Sequence, residues 1–181
     1  MKIRKFPWLV VTGVLLVAAD QLSKFFVRRF ISVNSIIPVV RGLLYFTFTQ
    51  NTGAAFGSLQ ETNSILIWAT LIAVGLILYL WGQFPKGRLS RVCLMLILAG
   101  SVGNLIDRIF IGYVTDFADF RIWPVFNLAD SMVTIGIIGL MAILIREGLV
   151  SQKKKHDGKP GSKPREKPDI KGKRDKQTAN R

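Results

Sequence analysis

The sequence has little of what many metal sites and nucleophilic enzymes depend on: one cysteine and one histidine. Cys93 lies in the apolar run 92–99, so it cannot form an intramolecular disulfide, and no histidine stands near it in the sequence. This context is typical of a buried packing residue rather than a nucleophile. His156 lies in a charged C-terminal stretch, which leaves a metal site without imidazole ligands. We therefore expect no metal.

Acidic residues are also few, with 11 Asp and Glu against 25 Lys and Arg and a formal net charge of +14. The excess is concentrated at the end of the chain, because residues 151–181 carry 12 of the basic residues and 4 of the acidic ones. That stretch is dense in Lys, Gly and Pro and almost free of apolar residues. We expect a disordered basic cytoplasmic tail that is attracted to anionic lipids, and no nucleic-acid partner.

Long hydrophobic runs, in contrast, are abundant, and half of all residues are hydrophobic. A membrane-spanning helix needs about 20 mostly apolar residues, each rising about 1.5 Å. Four segments satisfy this, at about 7–30, 64–81, 89–109 and 129–145. The sequence therefore predicts an all-α membrane protein with a four-helix transmembrane bundle in residues 1–150. The first run continues in helical character to Phe30 and is interpreted as a retained helix, not a cleaved signal peptide.

The orientation of the bundle follows from its basic residues, because short cytoplasmic loops retain Lys and Arg. Such residues precede the first helix, surround the turn between the second and third, and follow the fourth; they are Lys2, Arg4, Lys5, Lys86, Arg88, Arg91 and Arg146. Both termini of this multi-pass protein are therefore expected in the cytoplasm.

Two segments remain for the outer side, and both contain strand-like sequence. Residues 44–49 partly alternate aromatic with polar residues, and a turn sequence follows at 51–53. Aromatic residues also suit the headgroup zone. We expect a small extracytoplasmic β-sheet within about 36–57 that lies on the outer membrane surface. A second candidate strand end, at 113–117, carries Asp116.

Polar residues that are costly in a membrane converge at the outer ends of the helices. Asp20 and Lys24 are four residues apart and can pair on one face of the first helix. The other helices contribute Asn104, Asp107, Arg108, Asn127 and Asp130. A structural role is favoured for Asp20 with Lys24, as a buried pair, and for Asp107 with Arg108, as an interfacial anchor. Asn127 and Asp130 also suit a helix N-terminus.

For Asp116 and Asp130 we favour chemistry, because neither has an adjacent cation in the sequence. Two carboxylates that approach closely share one proton, so one can take a proton from water while the other donates to a carbonyl under attack. This permits amide hydrolysis without a nucleophilic side chain or a metal. A helix N-terminus favours the anion of Asp130. We therefore expect Asp116 to carry the shared proton at rest.

Five sequence blocks resemble those of the lipoprotein signal peptidase family, signal peptidase II, and they occur in the family's order. They are Asp20-Gln21-Leu22-Ser23-Lys24, Asn51-Thr52-Gly53-Ala54-Ala55-Phe56, Gly103-Asn104-Leu105-Ile106-Asp107-Arg108, Val114-Thr115-Asp116-Phe117 and Phe126-Asn127-Leu128-Ala129-Asp130. The resemblance covers the membrane region and says nothing about the tail.

The resemblance implies an aspartyl endopeptidase of the bacterial inner membrane with four transmembrane helices and a small outer sheet. Such an enzyme removes signal peptides from prolipoproteins by cutting before the diacylglyceryl-modified cysteine, without a cofactor. Its partners are these precursors and membrane lipids, and we expect a monomer. By resemblance Asp116 and Asp130 are the catalytic pair, and the residues that line or support the site are Asp20, Lys24, Asn51, Gly53, Ala55, Phe56, Asn104, Asp107, Arg108 and Asn127.

The sequence departs from the family's pattern in two places. Ala99-Gly100-Ser101 stands where Gly-Gly-Ala is common, which affects close helix packing, and Ser23 stands where Thr is common. Asp119 is a third acid near the second aspartate block, but the Val-x-Asp-Phe pattern favours Asp116.

Two other classes of function compete with a peptidase. Intramembrane carboxylates also mark the path of a proton-coupled transporter, although a path would need polar groups on both sides of the midplane and these cluster at one depth. The second rival is a noncatalytic membrane assembly factor, in which the helix glycines would be packing contacts. A presenilin-like protease would carry a Gly-x-Gly-Asp signature, which this sequence lacks.

Overall fold

The computed structural model describes residues 7–53 and 59–157, with side chains described for 8–53 and 63–150. The chain divides into two units, Met1–Ile145 and Arg146–Arg181, and the contacts below lie within the first. The elements, in chain order, are α1 (Pro7–Phe30), β1 (Ile36–Val40), β2 (Leu44–Asn51), α2 (Leu59–Tyr79) with a 3-10 turn (Leu80–Gly82), α3 (Arg88–Phe110), β3 (Val114–Asp119) and α4 (Leu128–Asp157).

Four helices in the described ranges are long and apolar enough to cross a membrane. Their apolar side chains face outward: Val14 and Leu15 on α1 are 62% and 63% exposed, whereas Asp20 and Lys24 on the same helix are 0% exposed. An exposed apolar surface with a polar interior is what a bilayer, rather than water, stabilises. The predicted architecture of four membrane-spanning helices with a small sheet is confirmed.

Glycines allow α3 and α4 to approach closely. A Cβ on Gly100 would collide with the backbone oxygen of Ala129, and one on Gly136 would lie 2.7 Å from the backbone oxygen of Cys93. The Cys93 thiol in turn occupies the space over Gly139, and the residue is buried, as its apolar context predicted. Because lipid tails are as apolar as the side chains, this close packing is a main source of helix association in a membrane.

Substitution of Gly100 by alanine is expected to lower the free energy of unfolding by about 1–3 kcal/mol, because the added methyl group has no space beside Ala129. Gly75 on α2 is the matched control, since nothing lies within 4 Å of its Cβ position. Gly75→Ala should leave stability unchanged or raise it slightly through helix propensity. Thermal unfolding in detergent would measure both variants, and equal effects would contradict the packing account.

The three strands form one antiparallel sheet in the order β1-β2-β3. Gly42, with a φ of 81°, lies in the turn between β1 and β2, a conformation that glycine adopts without strain. In the pairing of β2 with β3, Thr49 is opposite Asp116 and Asn51 is opposite Val114. Side chains at these four positions therefore share one face of the sheet.

Two helices extend further than the sequence indicated. α2 begins at Leu59 rather than near Ser64, and α4 continues to Asp157. The prediction placed the end of α4 near Ile145 and a disordered tail from Ser151. The apolar run ends near Ile145, but the residues after it are mostly helix formers, and the next proline in the sequence is Pro160. The length of this helix is therefore set by backbone propensity beyond the apolar span.

Candidate active site

Asn127 connects the two candidate catalytic aspartates. It precedes α4, and its side-chain oxygen accepts a hydrogen bond from the backbone N–H of Asp130 at 3.0 Å. Asp130 returns the contact, because its Oδ2 accepts from the backbone N–H of Asn127 at 3.1 Å. This is a capping box, in which two unpaired N–H groups of the first helical turn are satisfied reciprocally. The Asn127 Nδ2 also donates to Oδ1 of Asp116 at 2.6 Å.

Asp116 lies on β3 and is 1% exposed. Besides Asn127, it is contacted by Asn51 on the neighbouring strand, whose Nδ2 donates to Asp116 Oδ2 at 2.9 Å. The other end of the Asn51 amide accepts from the N–H of Gly53, which has a φ of 72°. Gly53 thus closes a turn that orients Asn51, and the sheet register places that amide on the same face as Asp116.

Burial raises the pKa of Asp116 to about 6. Removal from water is the largest cause, and the nearby Asp130 carboxylate acts in the same direction. The hydrogen bonds from Asn51 and Asn127 oppose the shift, because they stabilise the charged form. The side chain at this position is therefore able to hold a proton under mildly acidic conditions.

Asn104 on α3 contacts the second aspartate. Its Nδ2 donates to Asp130 Oδ1 at 2.7 Å, while its Oδ1 accepts from Lys24 at 2.8 Å and from Asn127 at 3.2 Å. Both oxygens of Asp130 therefore face N–H donors.

A buried ionic cluster lies behind these residues. The Lys24 ammonium is 2.8 Å from Asp20 and 3.5 Å from Asp107, and all three side chains are 0% exposed. Asp107 also pairs with Arg28 at 3.5 Å. The predicted pair of Asp20 with Lys24 is therefore present in the structure, whereas Asp107 pairs with α1 rather than with its neighbour Arg108.

The two acids of this cluster also hold the backbone beside the two candidate aspartates. Asp20 Oδ1 accepts from the N–H of Ala129 at 2.9 Å, and Asp107 Oδ2 accepts from the N–H of Thr115 at 3.0 Å. These residues immediately precede Asp130 and Asp116. The cluster thus links α1 to both elements that carry the pair.

A cavity of about 210 Å³ opens beside Asp130 between α2, α3 and α4. Arg108 lines it and has a buried Nε without a hydrogen-bond partner in the described part of the chain. Small hydroxyl side chains from each of the three helices also line it; these are Thr70, Ser101 and Thr134. The cavity therefore leaves open space directly against one of the two carboxylates.

The structure brings together most of the residues that the sequence singled out, while Ala55 and Phe56 lie outside the described residues. Sequence reasoning missed Arg28 and the hydroxyl of Thr115, which are hydrogen-bonded to each other at 2.9 Å. Arg28 could have been found, because it lies four residues after Lys24 and so on the same face of α1. The contact of the Thr115 hydroxyl with Arg28 depends on the strand pairing, and no pattern in the sequence indicates it.

Comparison with known proteins gives one consistent family. A profile described as "Signal peptidase (SPase) II" matches residues 12–146. The lipoprotein signal peptidase of Moorella thermoacetica is 42% identical over 133 residues, which cover 73% of this chain and 88% of that protein. The lipoprotein signal peptidase of Halothermothrix orenii is 40% identical over 130 residues, which cover 72% of this chain and 90% of that protein.

Solved structures agree with these relatives. Two bacterial membrane enzymes, determined by the in meso method at 2.3 Å and 1.9 Å resolution, each superpose with a TM-score of 0.70. They are 27% and 30% identical to this chain, and cover 88% and 77% of it, corresponding to 96% and 94% of their own lengths. With the family match, these findings show that the chain belongs to the signal peptidase II family of membrane proteases.

Proposed function

We propose that this protein removes signal peptides from prolipoproteins by hydrolysing the bond before the diacylglyceryl-modified cysteine, with Asp116 and Asp130 as the catalytic pair. The main support is that Asn127 donates a hydrogen bond to each of the two carboxylates. Each carboxylate also accepts from one further asparagine side chain, Asn51 for Asp116 and Asn104 for Asp130. The names of the relatives support prolipoprotein processing, since those proteins are lipoprotein signal peptidases.

In the proposed reaction Asp130 acts as the base. Its two oxygens accept from Asn104 and from the backbone of Asn127, which fixes the orientation of the carboxyl group. It takes a proton from water, the water oxygen bonds to the carbonyl carbon, and protonated Asp116 donates its proton to the carbonyl oxygen. When the C–N bond breaks, Asp130 gives its proton to the amine that leaves. The hydroxyl proton of the collapsing intermediate returns to Asp116, so that the pair regains its starting state.

The proton on Asp116 leads to a prediction about stability. Its pKa of about 6 in the folded protein is above the ordinary value of 3.8, so the folded state binds more protons than the unfolded chain between these values. Stability is therefore lost as the pH rises from about 4 to about 6. Asp116→Asn cannot titrate and should lack this loss.

The unfolding free energy of Asp116→Asn minus that of the wild type is expected to grow by at most about 2–3 kcal/mol between pH 4 and pH 7. Thermal unfolding of both proteins in detergent over this range would measure it. Ionisable groups that do not interact with Asp116 cancel in the difference, so the remaining pH dependence belongs to Asp116 and its coupled partner Asp130. A difference that stays constant with pH would contradict the placement of the proton on Asp116.

The active site is proposed to lie near the extracytoplasmic surface of the bacterial inner membrane, with both termini cytoplasmic. The distribution of Lys and Arg supports this orientation. Exposed apolar side chains on the hairpin and on the loop after β3 support contact of the sheet with the outer leaflet; they include Ile36, Val39, Leu43, Ile122 and Trp123. A substrate with a signal helix and a lipid in that leaflet would present its cleavage point at this depth.

The protein is proposed to act as a monomer on membrane-bound precursors, because a single chain supplies both aspartates and the amides that contact them. The direct test is an assay in liposomes with a diacylglyceryl-modified precursor and the same precursor without the lipid. The lipid-modified precursor should be cleaved and the unmodified precursor should be left intact. Equal cleavage of both would contradict the proposed substrate class.

A further inference from the structure

The buried ammonium of Lys24 contacts three side chains, and each of these also forms a hydrogen bond with one of the two aspartates or with the residue that precedes it. Asp20 and Asp107 hold the backbone N–H groups of the residues that precede Asp130 and Asp116, and Asn104 donates to Asp130 itself. An ammonium has three donors, which matches the three contacts of Lys24, at 2.8 Å to Asp20, 2.8 Å to Asn104 and 3.5 Å to Asp107. A single cation thus joins α1 and α3 to the two elements that carry the reactive carboxylates.

Lys24 also determines which way Asn104 faces. An ammonium can only donate, so Asn104 must present its oxygen to Lys24 and its NH2 group to Asp130. The same oxygen accepts one hydrogen of the Asn127 amide, whose other hydrogen goes to Asp116. The orientation of the Asn104 amide, and with it its donor bond to Asp130, therefore depends on the cation, while the Asn127 amide is also held by the backbone N–H of Asp130.

Taking these contacts together, we propose that Lys24 is a positioning residue that sets the separation and the proton sharing of Asp116 and Asp130. This inference rests on the proposed function. A purely structural salt bridge would stabilise α1 against α3 without affecting the chemistry. Here the partners of Lys24 also bind the aspartates or the residues next to them, so a change at Lys24 would reach the chemistry; these partners are Asp20, Asp107 and Asn104.

Other charged groups face the pair, and none of those described has the same set of contacts. Among the residues whose side chains the structure describes, the titratable ones at the site are Asp20, Lys24 and Arg28 on α1, Asp107 and Arg108 on α3, and Asp116 and Asp130 themselves. Arg28 contacts Asp107 and Thr115 but not Asn104, and Arg108 lines the cavity. On β2 the described residue at the site is Asn51, which does not titrate.

The test is the steady-state kinetics and pH profile of purified Lys24→Met in liposomes with a lipid-modified precursor. Loss of positioning should lower kcat by about 100-fold, as a displacement near 1 Å does, with KM within about threefold of the wild type. The acid and alkaline limbs of the profile should also move closer together, because two carboxylates that separate interact less. Lys24→Gln retains a donor for Asn104 and should give an intermediate kcat.

Gly136→Ala is the matched control, because it disturbs the packing of α4 against Cys93 without contacting the cluster. It should lower thermal stability and leave the pH profile of the folded enzyme unchanged. A profile and kcat of Lys24→Gln that match the wild type would overturn the proposal, even if Lys24→Met fails to fold. A different outcome would contradict the proposed function itself: a wild-type protein that does not cleave the precursor at all.

Discussion

Asp130→Asn is expected to lower the rate of precursor cleavage by about 10³-fold or more, and Asp116→Asn by a similar factor, because each removes one half of the proposed acid–base pair. Both changes are nearly isosteric. In Asp130→Asn the new amide oxygen can still accept from the backbone N–H of Asn127, so the cap of α4 is retained. The new NH2 group would face the NH2 group of Asn104, so initial rates with a lipid-modified precursor would be measured together with thermal unfolding, which separates a loss of chemistry from a loss of fold.

Asp119→Asn is the matched control for these two variants. Asp119 is on the same strand as Asp116, but it pairs with Arg121 at 3.4 Å and accepts that residue's backbone N–H. We expect its activity to remain within about threefold of the wild type, as for other partly exposed ion pairs. Full activity in Asp116→Asn or in Asp130→Asn would contradict the assignment of the pair.

Asp20→Ala is expected to destabilise the folded protein by about 3–5 kcal/mol, the usual cost of breaking a buried ion pair by removing one partner. The change leaves Lys24 in the interior with one acid fewer and leaves the N–H of Ala129 without its acceptor. Asp119→Ala breaks a pair whose arginine is 45% exposed and should cost no more than about 1 kcal/mol. Thermal unfolding in detergent would compare them, and similar losses would contradict a structural role for the buried cluster.

The helical architecture was predictable from sequence because membrane insertion imposes length and apolarity on each segment separately. The four apolar runs lie within helices of the structure, and Asn127 with Asp130 has the spacing of a capping box. The pair of Asp20 with Lys24 was likewise visible, since residues four apart share a helix face. Each of these contacts joins residues three or four positions apart, so the sequence alone indicates it.

The relations that were not predictable join distant segments. Asp107 has Arg108 as its neighbour in sequence, yet its partners are Lys24 and Arg28 on another helix. In the sequence, Asp119 is only three residues from Asp116, and its position does not exclude it from the candidate pair. In the strand, the two side chains point to opposite faces, because residues three apart do so. Asp116 consequently meets Asn127, whereas Asp119 meets Arg121.

As proposed above, this chain hydrolyses prolipoproteins before the lipid-modified cysteine with an aspartate pair. The most direct measurement is mass spectrometry of the products formed when wild type and Asp130→Asn are each incubated in liposomes with a diacylglyceryl-modified precursor. We predict that the wild type yields a free signal peptide and a product that begins with the modified cysteine, and that Asp130→Asn leaves the precursor intact. A cut at any other bond, or the same products from the variant, would contradict the account.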